Sequence, residues 1–75
     1  MIEQQVKEVI CECLSVEMDY LKDNSVKLMD LGADSLDFLD LEFQLEKTFD
    51  IKLNMIAVEN PTIQNVIDLI KAKLT

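Results

Sequence analysis

Asp34-Ser35-Leu36-Asp37-Phe38-Leu39-Asp40-Leu41-Glu42-Phe43-Gln44-Leu45-Glu46-Lys47-Thr48-Phe49-Asp50 is the stretch that decides the fold. Projected at about 100° per residue, Phe38, Leu41, Leu45 and Phe49 fall on one compact apolar stripe. Gly32 supplies a backbone break just before it. Asp34 is a good N-cap, and Asp37 three residues on resembles a capping box with Asp in place of Glu. The spacing predicts a helix over 34–50. Asp37, Asp40, Gln44 and Lys47 are expected on its far side, with Leu36, Leu39 and Phe43 between the stripe and the acids.

Two more helices follow from the same period. Ile2, Val6, Val9, Ile10, Cys13 and Leu14 share one stripe over 2–14. Ile63, Val66, Ile67, Ile70 and Leu74 make the inward stripe of a last helix over 63–74. Pro61 breaks the chain before it and Thr62 is positioned to cap it. Lys71 and Lys73 fall in its last turn, where they complement the dipole. Residues 15–33 show no sustained period and are punctuated by Ser15, Asp19, Asp23, Asn24 and Ser25. A long packed loop with a turn of helix is expected there, pinned to the core by Met18, Tyr20, Leu21, Val26, Leu28, Met29 and Leu31. Met55–Asn60 is expected to form one further helical turn. The fold class is thus all-α, a small four-helix bundle of three longer helices and one short one, with a long first loop.

Composition narrows what such a bundle does. The 75 residues suit a single domain, 1–75. Fifteen acids against seven bases give a net charge of −8, which repels a phosphate backbone and argues against nucleic acid. At 49% apolar the chain is too hydrophobic for a disordered acidic tail. No apolar run is long enough to span a membrane. The N-terminal residues lack the pattern of a signal peptide, so a cytoplasmic location is expected. A monomer is expected too. Cys11 and Cys13 are too few for a disulfide framework or a zinc site and read as structural thiols. With no histidine, the chain has no imidazole base for catalysis, and it is not expected to be an enzyme.

The chemistry concentrates at Ser35, the first position of the long helix. Its hydroxyl is expected to be exposed. A phosphate ester there would meet unpaired N–H groups and the positive end of the dipole. Taken alone, such a serine merely helps start a helix. Leu31-Gly32-Ala33-Asp34-Ser35-Leu36, however, resembles the attachment motif of acyl carrier proteins. The likeness continues through Asp37-Phe38-Leu39-Asp40-Leu41 and Leu45-Glu46-Lys47-Thr48-Phe49-Asp50-Ile51 and covers nearly the whole chain.

The resemblance implies that a phosphopantetheinyl transferase moves 4′-phosphopantetheine from coenzyme A onto Ser35, flanked by Asp34 and Leu36. It further implies a covalent shuttle whose arm carries acyl groups as thioesters, with no catalysis of its own. Seven of the 15 acids lie within 28–50. They imply acyl-processing partner enzymes with basic docking patches, steered by charge. Asp34, Asp37, Asp40 and Glu46 are the expected acidic contacts. Leu36, Leu39, Phe43 and Ile56 are the expected apolar ones, although Leu36, Leu39 and Phe43 can equally pack on loop residues. Phe38, Leu41, Glu42, Leu45, Ile56 and Ile63 are the expected walls of an acyl pocket.

Glu42 departs from the family pattern, which usually has an apolar residue there. It either reaches the rim or pairs with a lysine such as Lys52, or it polarises the pocket. An aminoacyl, D-alanyl or peptidyl carrier would share the bundle and the modified serine, but Asp34 beside Ser35 and the net −8 favour an acyl carrier. A calcium-binding loop fails on spacing. Starting at Asp30, Ser35 stands where the invariant glycine belongs and Leu41 where the bidentate glutamate belongs, and no metal site is expected. A helical interaction module whose Ser35 is never modified is the remaining rival.

Overall fold

A computed structural model of the chain describes residues 2–53 and 60–74. It contains α1 (Ile2–Leu14), α2 (Ser35–Phe49) and α3 (Ile63–Leu74). All three follow the sequence period, within the ends set by their caps, except that Leu74, expected on the inward stripe of α3, is exposed at its last position, past the reach of the core. Short 3₁₀ turns at Met18–Leu21 and Leu28–Leu31 interrupt the connection between α1 and α2. No strand occurs among the described residues, only an isolated antiparallel bridge between Lys27 and Thr62. The expected short fourth helix lies outside the described residues except for Asn60, which is a bend with φ of 53°.

The core holds Val6 and Ile10 of α1, Leu41 and Leu45 of α2, and Ile63, Val66, Ile67 and Ile70 of α3, all fully buried. Leu21 and Leu28, one from each 3₁₀ turn, are equally buried and tie the connection to the helices, with Val26 and Leu31 partly buried beside them. Met18, Tyr20 and Met29, expected to pin it as well, are exposed, because each 3₁₀ turn is too short to bury more than one of its sides. No polar or charged side chain is buried among the described residues. α1 packs on both α2 and α3.

The long connection is ordered by contacts with the start of α3. The Leu28 N–H donates to the Pro61 carbonyl, the Ile63 N–H to Val26 and the Gln64 N–H to Asn24, at 3.0, 3.0 and 2.9 Å. The Asn24 amide then joins three elements: Nδ2 donates to Glu3 Oε1 on α1 and to Gln64 Oε1 on α3, each at 3.0 Å. Lys7 Nζ adds an ion pair to Glu3 at 3.4 Å. The hydrogen bond from Asn24, and then Lys7, hold the Glu3 carboxyl below its ordinary 4.5. The part of native stability this represents is present above the ordinary value and lost as pH falls through the lowered one.

Each helix end has a local reason. Thr62 caps α3 as expected, through Asn65 N–H to Thr62 Oγ1 at 3.1 Å, and Asn65 Oδ1 returns the bond to the Thr62 N–H at 3.0 Å. Asp50 closes α2 in the left-handed region, φ 54°.

Candidate functional site

The approach to α2 is built by the second 3₁₀ turn. Gly32 follows it at φ 92°, a conformation that L side chains rarely adopt, and donates to Met29 O at 3.1 Å. A Cβ added there would meet nothing within 4 Å, so the backbone angle alone demands glycine. This turn buries Ala33 and delivers Asp34 and Ser35 to the surface.

Asp34 then starts α2 with a reciprocal cap. Asp34 Oδ1 accepts from the Asp37 N–H at 3.0 Å, and Asp37 Oδ2 accepts from the Asp34 N–H at 3.1 Å. The shorter aspartate therefore does the work the box usually gives to glutamate. Ser35 is the first helical residue and is exposed. Its own N–H and that of Leu36 have no intrahelical acceptor, and they stand at the positive end of the dipole. An ester phosphate on Ser35 Oγ fits here: the residue is exposed, the helix start is capped on both sides, and two amides are available nearby.

The faces of α2 differ from the sequence expectation in one respect. Leu41 and Leu45 are fully buried, with Phe38 and Phe49 half-buried beside them. Opposite this stripe stand Leu36, Leu39 and Phe43, exposed by 74%, 52% and 61%. They are the far side of the helix and do not pack on the loop. Asp37 and Gln44 are half-buried, and Asp40 and Gln44 line a groove with Val9, Glu12, Cys13 and Thr48. The expected far side is thus partly a flank facing α1. The cause is the position of α1, which covers α2 over a wide angle, so that polar residues next to the stripe border the interface.

Cys13 reports on this flank. Burial first, then the carboxylates of Asp40, Glu12 and Asp37, push its thiol up to about 11. Cys11 lies on the other side of α1, with its Sγ 4.0 Å from Met18 Sδ, and burial raises it too. Both cysteines are free thiols.

Glu46 is less available than its sequence position implies. It is half-buried and its Oε2 accepts the Leu53 N–H at 2.7 Å, fixing the segment that leaves α2. Sequence periodicity carries no signal for this bond, because it depends on where the chain returns. Glu42 is half-buried at the edge of the inward stripe and is not without a partner. Among the described residues no ion pair joins it to Lys52; the pairs formed are Lys7–Glu3 and Lys22–Asp19, both off α2. Leu41, Leu45 and Ile63 of the expected acyl pocket lie in the packed core, Phe38 at its edge. Ile56, expected both in the pocket and at the docking surface, lies outside the described residues.

A family model for the phosphopantetheine attachment site matches residues 4–70. The chain belongs to that family, as a carrier of the acyl carrier protein type. Its members bear covalently attached 4′-phosphopantetheine, and the exposed, capped start of α2 suits that group. A carrier of this kind works with a phosphopantetheinyl transferase and with partner enzymes. No helix of the described residues is long and apolar enough to cross a membrane.

Proposed function

We propose that this carrier holds acyl groups as thioesters on a 4′-phosphopantetheine arm at Ser35 and shuttles them between enzymes of fatty-acid, lipid or polyketide synthesis in the cytoplasm. The observation that carries the reading is the exposed Ser35 hydroxyl at the first position of a helix whose cap is already complete. When bound, the arm supplies a terminal thiol for thioester chemistry. Attachment forms the Ser35 Oγ–P bond as the pyrophosphate bond of coenzyme A breaks; the 3′,5′-phosphorylated adenosine half leaves, and the hydroxyl proton passes to the transferase or solvent. The chain offers no histidine to activate Ser35, so exposure to a transferase is what the site provides.

Asp34, Asp37 and Asp40, with Leu36, Leu39 and Phe43, form the proposed docking face. The apolar triad is the anchor, and the acids steer basic partners toward it. Glu46 contributes charge there while one of its oxygens holds the Leu53 amide. Phe38, Leu41, Leu45 and Ile63 are proposed to shelter the acyl chain, with Glu42 giving the pocket edge a polar element. That edge favours short or polar cargo.

The test is incubation with coenzyme A and a broad-specificity phosphopantetheinyl transferase, followed by intact mass and peptide mapping. A gain of one phosphopantetheinyl group at Ser35, absent from Ser35→Ala, is the expected result. No gain under conditions that modify a control carrier overturns it in favour of an unmodified interaction module. For the pocket, a long saturated thioester is expected to be better shielded in Glu42→Val than in the unaltered carrier. Equal shielding refutes a role for Glu42 in cargo choice.

A further inference from the structure

A second apolar surface lies on the connection between α1 and α2. Met18, Tyr20 and Met29 are all exposed there, Tyr20 by 62%. Beside them opens a cleft of about 480 Å³ lined by Ser15, Val16, Glu17, Tyr20, Asp30 and Leu31. The volume is within the range that proteins use for ligands and anchoring side chains.

The cleft is preformed by the fold. Ser15 turns the chain out of α1 at φ 56°, and the Val16 N–H donates to Cys11 O at 3.2 Å. The Tyr20 N–H closes on Glu17 O and the Asp30 N–H on Lys27 O, both at 3.0 Å. Fully buried Leu21 and Leu28 anchor the two turns that make its walls. Holding these residues costs a partner little ordering entropy.

Its chemistry is asymmetric. Val16, Leu31 and the Tyr20 ring supply apolar surface, and Glu17 and Asp30 supply carboxylates. No lysine lines it, and the nearby Lys22 is drawn to Asp19 at 3.6 Å. Its location also matters. In the groove they share, Cys13 near the end of α1 meets Asp40 in the first half of α2, and Asp30-Leu31 leads through Gly32, Ala33 and Asp34 to Ser35. The cleft is therefore at the Ser35 end of the bundle.

We infer that this cleft is a second docking site, filled by a segment of a partner enzyme that presents a large apolar side chain between lysines or arginines. The apolar group covers Tyr20 and Leu31, and the cations meet Glu17 and Asp30. Charge complementarity selects this occupant. Anionic lipid is repelled, as is a second copy of a chain with net charge −8. The inference rests on the carrier reading for its purpose: contacts on the α2 face and in the cleft bracket Ser35 and stop a docked carrier from pivoting about one helix.

The test is a titration of the ¹⁵N-labelled full chain, without an arm, by a short amidated peptide in which Leu-Phe is flanked by lysine and arginine. Amide shifts are expected at Val16, Tyr20 and Leu31, and they are expected to persist when Leu39→Ser and Phe43→Ser remove the α2 anchor. Glu17→Lys with Tyr20→Ser, both at exposed positions, is expected to weaken that binding about tenfold with the spectrum still dispersed. Shifts confined to α2 overturn the inference. So does equal binding of a peptide with Ser-Ser in place of Leu-Phe, which marks diffuse charge attraction alone. The Ser35 mass gain is measured separately, so failure of the cleft and failure of the carrier reading are told apart.

Discussion

The two apolar faces of α2 have the same kind of residue and opposite fates. Leu41 and Leu45 on one side are fully buried, whereas Leu36, Leu39 and Phe43 on the other are mostly exposed. Helical spacing alone does not separate them, because leucine and phenylalanine occur on both. The difference lies in what covers them. α1 lies against the inner face, whereas the outer residues keep half or more of their surface in solvent. An exposed apolar triad contributes little to the fold, which suits the docking role proposed for it.

That contrast can be broken most directly from the inside. Leu45→Ala is expected to destabilise the carrier by about 2–5 kcal/mol, read as a lowered urea midpoint with an unchanged slope. A loss near that of a surface substitution would mean that the inner face is not the core. The flank between the faces comes next. With its thiol pushed up to about 11, Cys13 is protonated at neutral pH, and its site-resolved alkylation is expected to rise only toward that value. Relative to an ordinary thiol at 9.0, the thiolate fraction near neutrality falls by about a hundredfold. The raised value also means that stability is kept below the ordinary thiol range and declines as pH climbs through it toward 11. An alkylation midpoint near 9 would sink the packed, acid-lined flank.

A smaller effect is expected at the cap that joins both faces. Asp34→Ala removes the acceptor for the Asp37 N–H and should cost about 1 kcal/mol in urea unfolding. Asp34→Asn should recover most of it, since an amide oxygen can accept the same bond. The outer face should be the quietest in stability. Phe43→Ser is expected to change unfolding free energy by less than about 0.5 kcal/mol while slowing transfer of phosphopantetheine to Ser35. A large stability loss at Phe43 would erase the distinction between the faces.

How much of this was legible in the sequence depended on the range of each interaction. The cap at Asp34 and Asp37, the cap at Thr62 and the inward stripes of the helices are local, and residue spacing predicts them well, apart from Leu74 at the exposed end of α3. Ser35 at the first helical position follows from the same cap. Spacing does not decide between packing and exposure for Leu36, Leu39 and Phe43, because that depends on which helices arrive and at what angle. In the sequence Asn24 signals only a turn, yet its amide joins α1 to α3. The Glu46 bond to Leu53 and the pairing of Cys13 with Asp40 were invisible for the same reason: each needs a neighbour that returns from elsewhere in the chain.

The sequence by itself therefore determined the helices, their starts and the serine that one of those starts presents, since capping and the 3.6-residue period act within a few residues. Only the assembled fold settles which apolar face of α2 is core and which is surface, and how residues 15–31 come together around a cleft. Burial is a property of the assembled neighbours, and a residue's own chemistry does not say who those neighbours are.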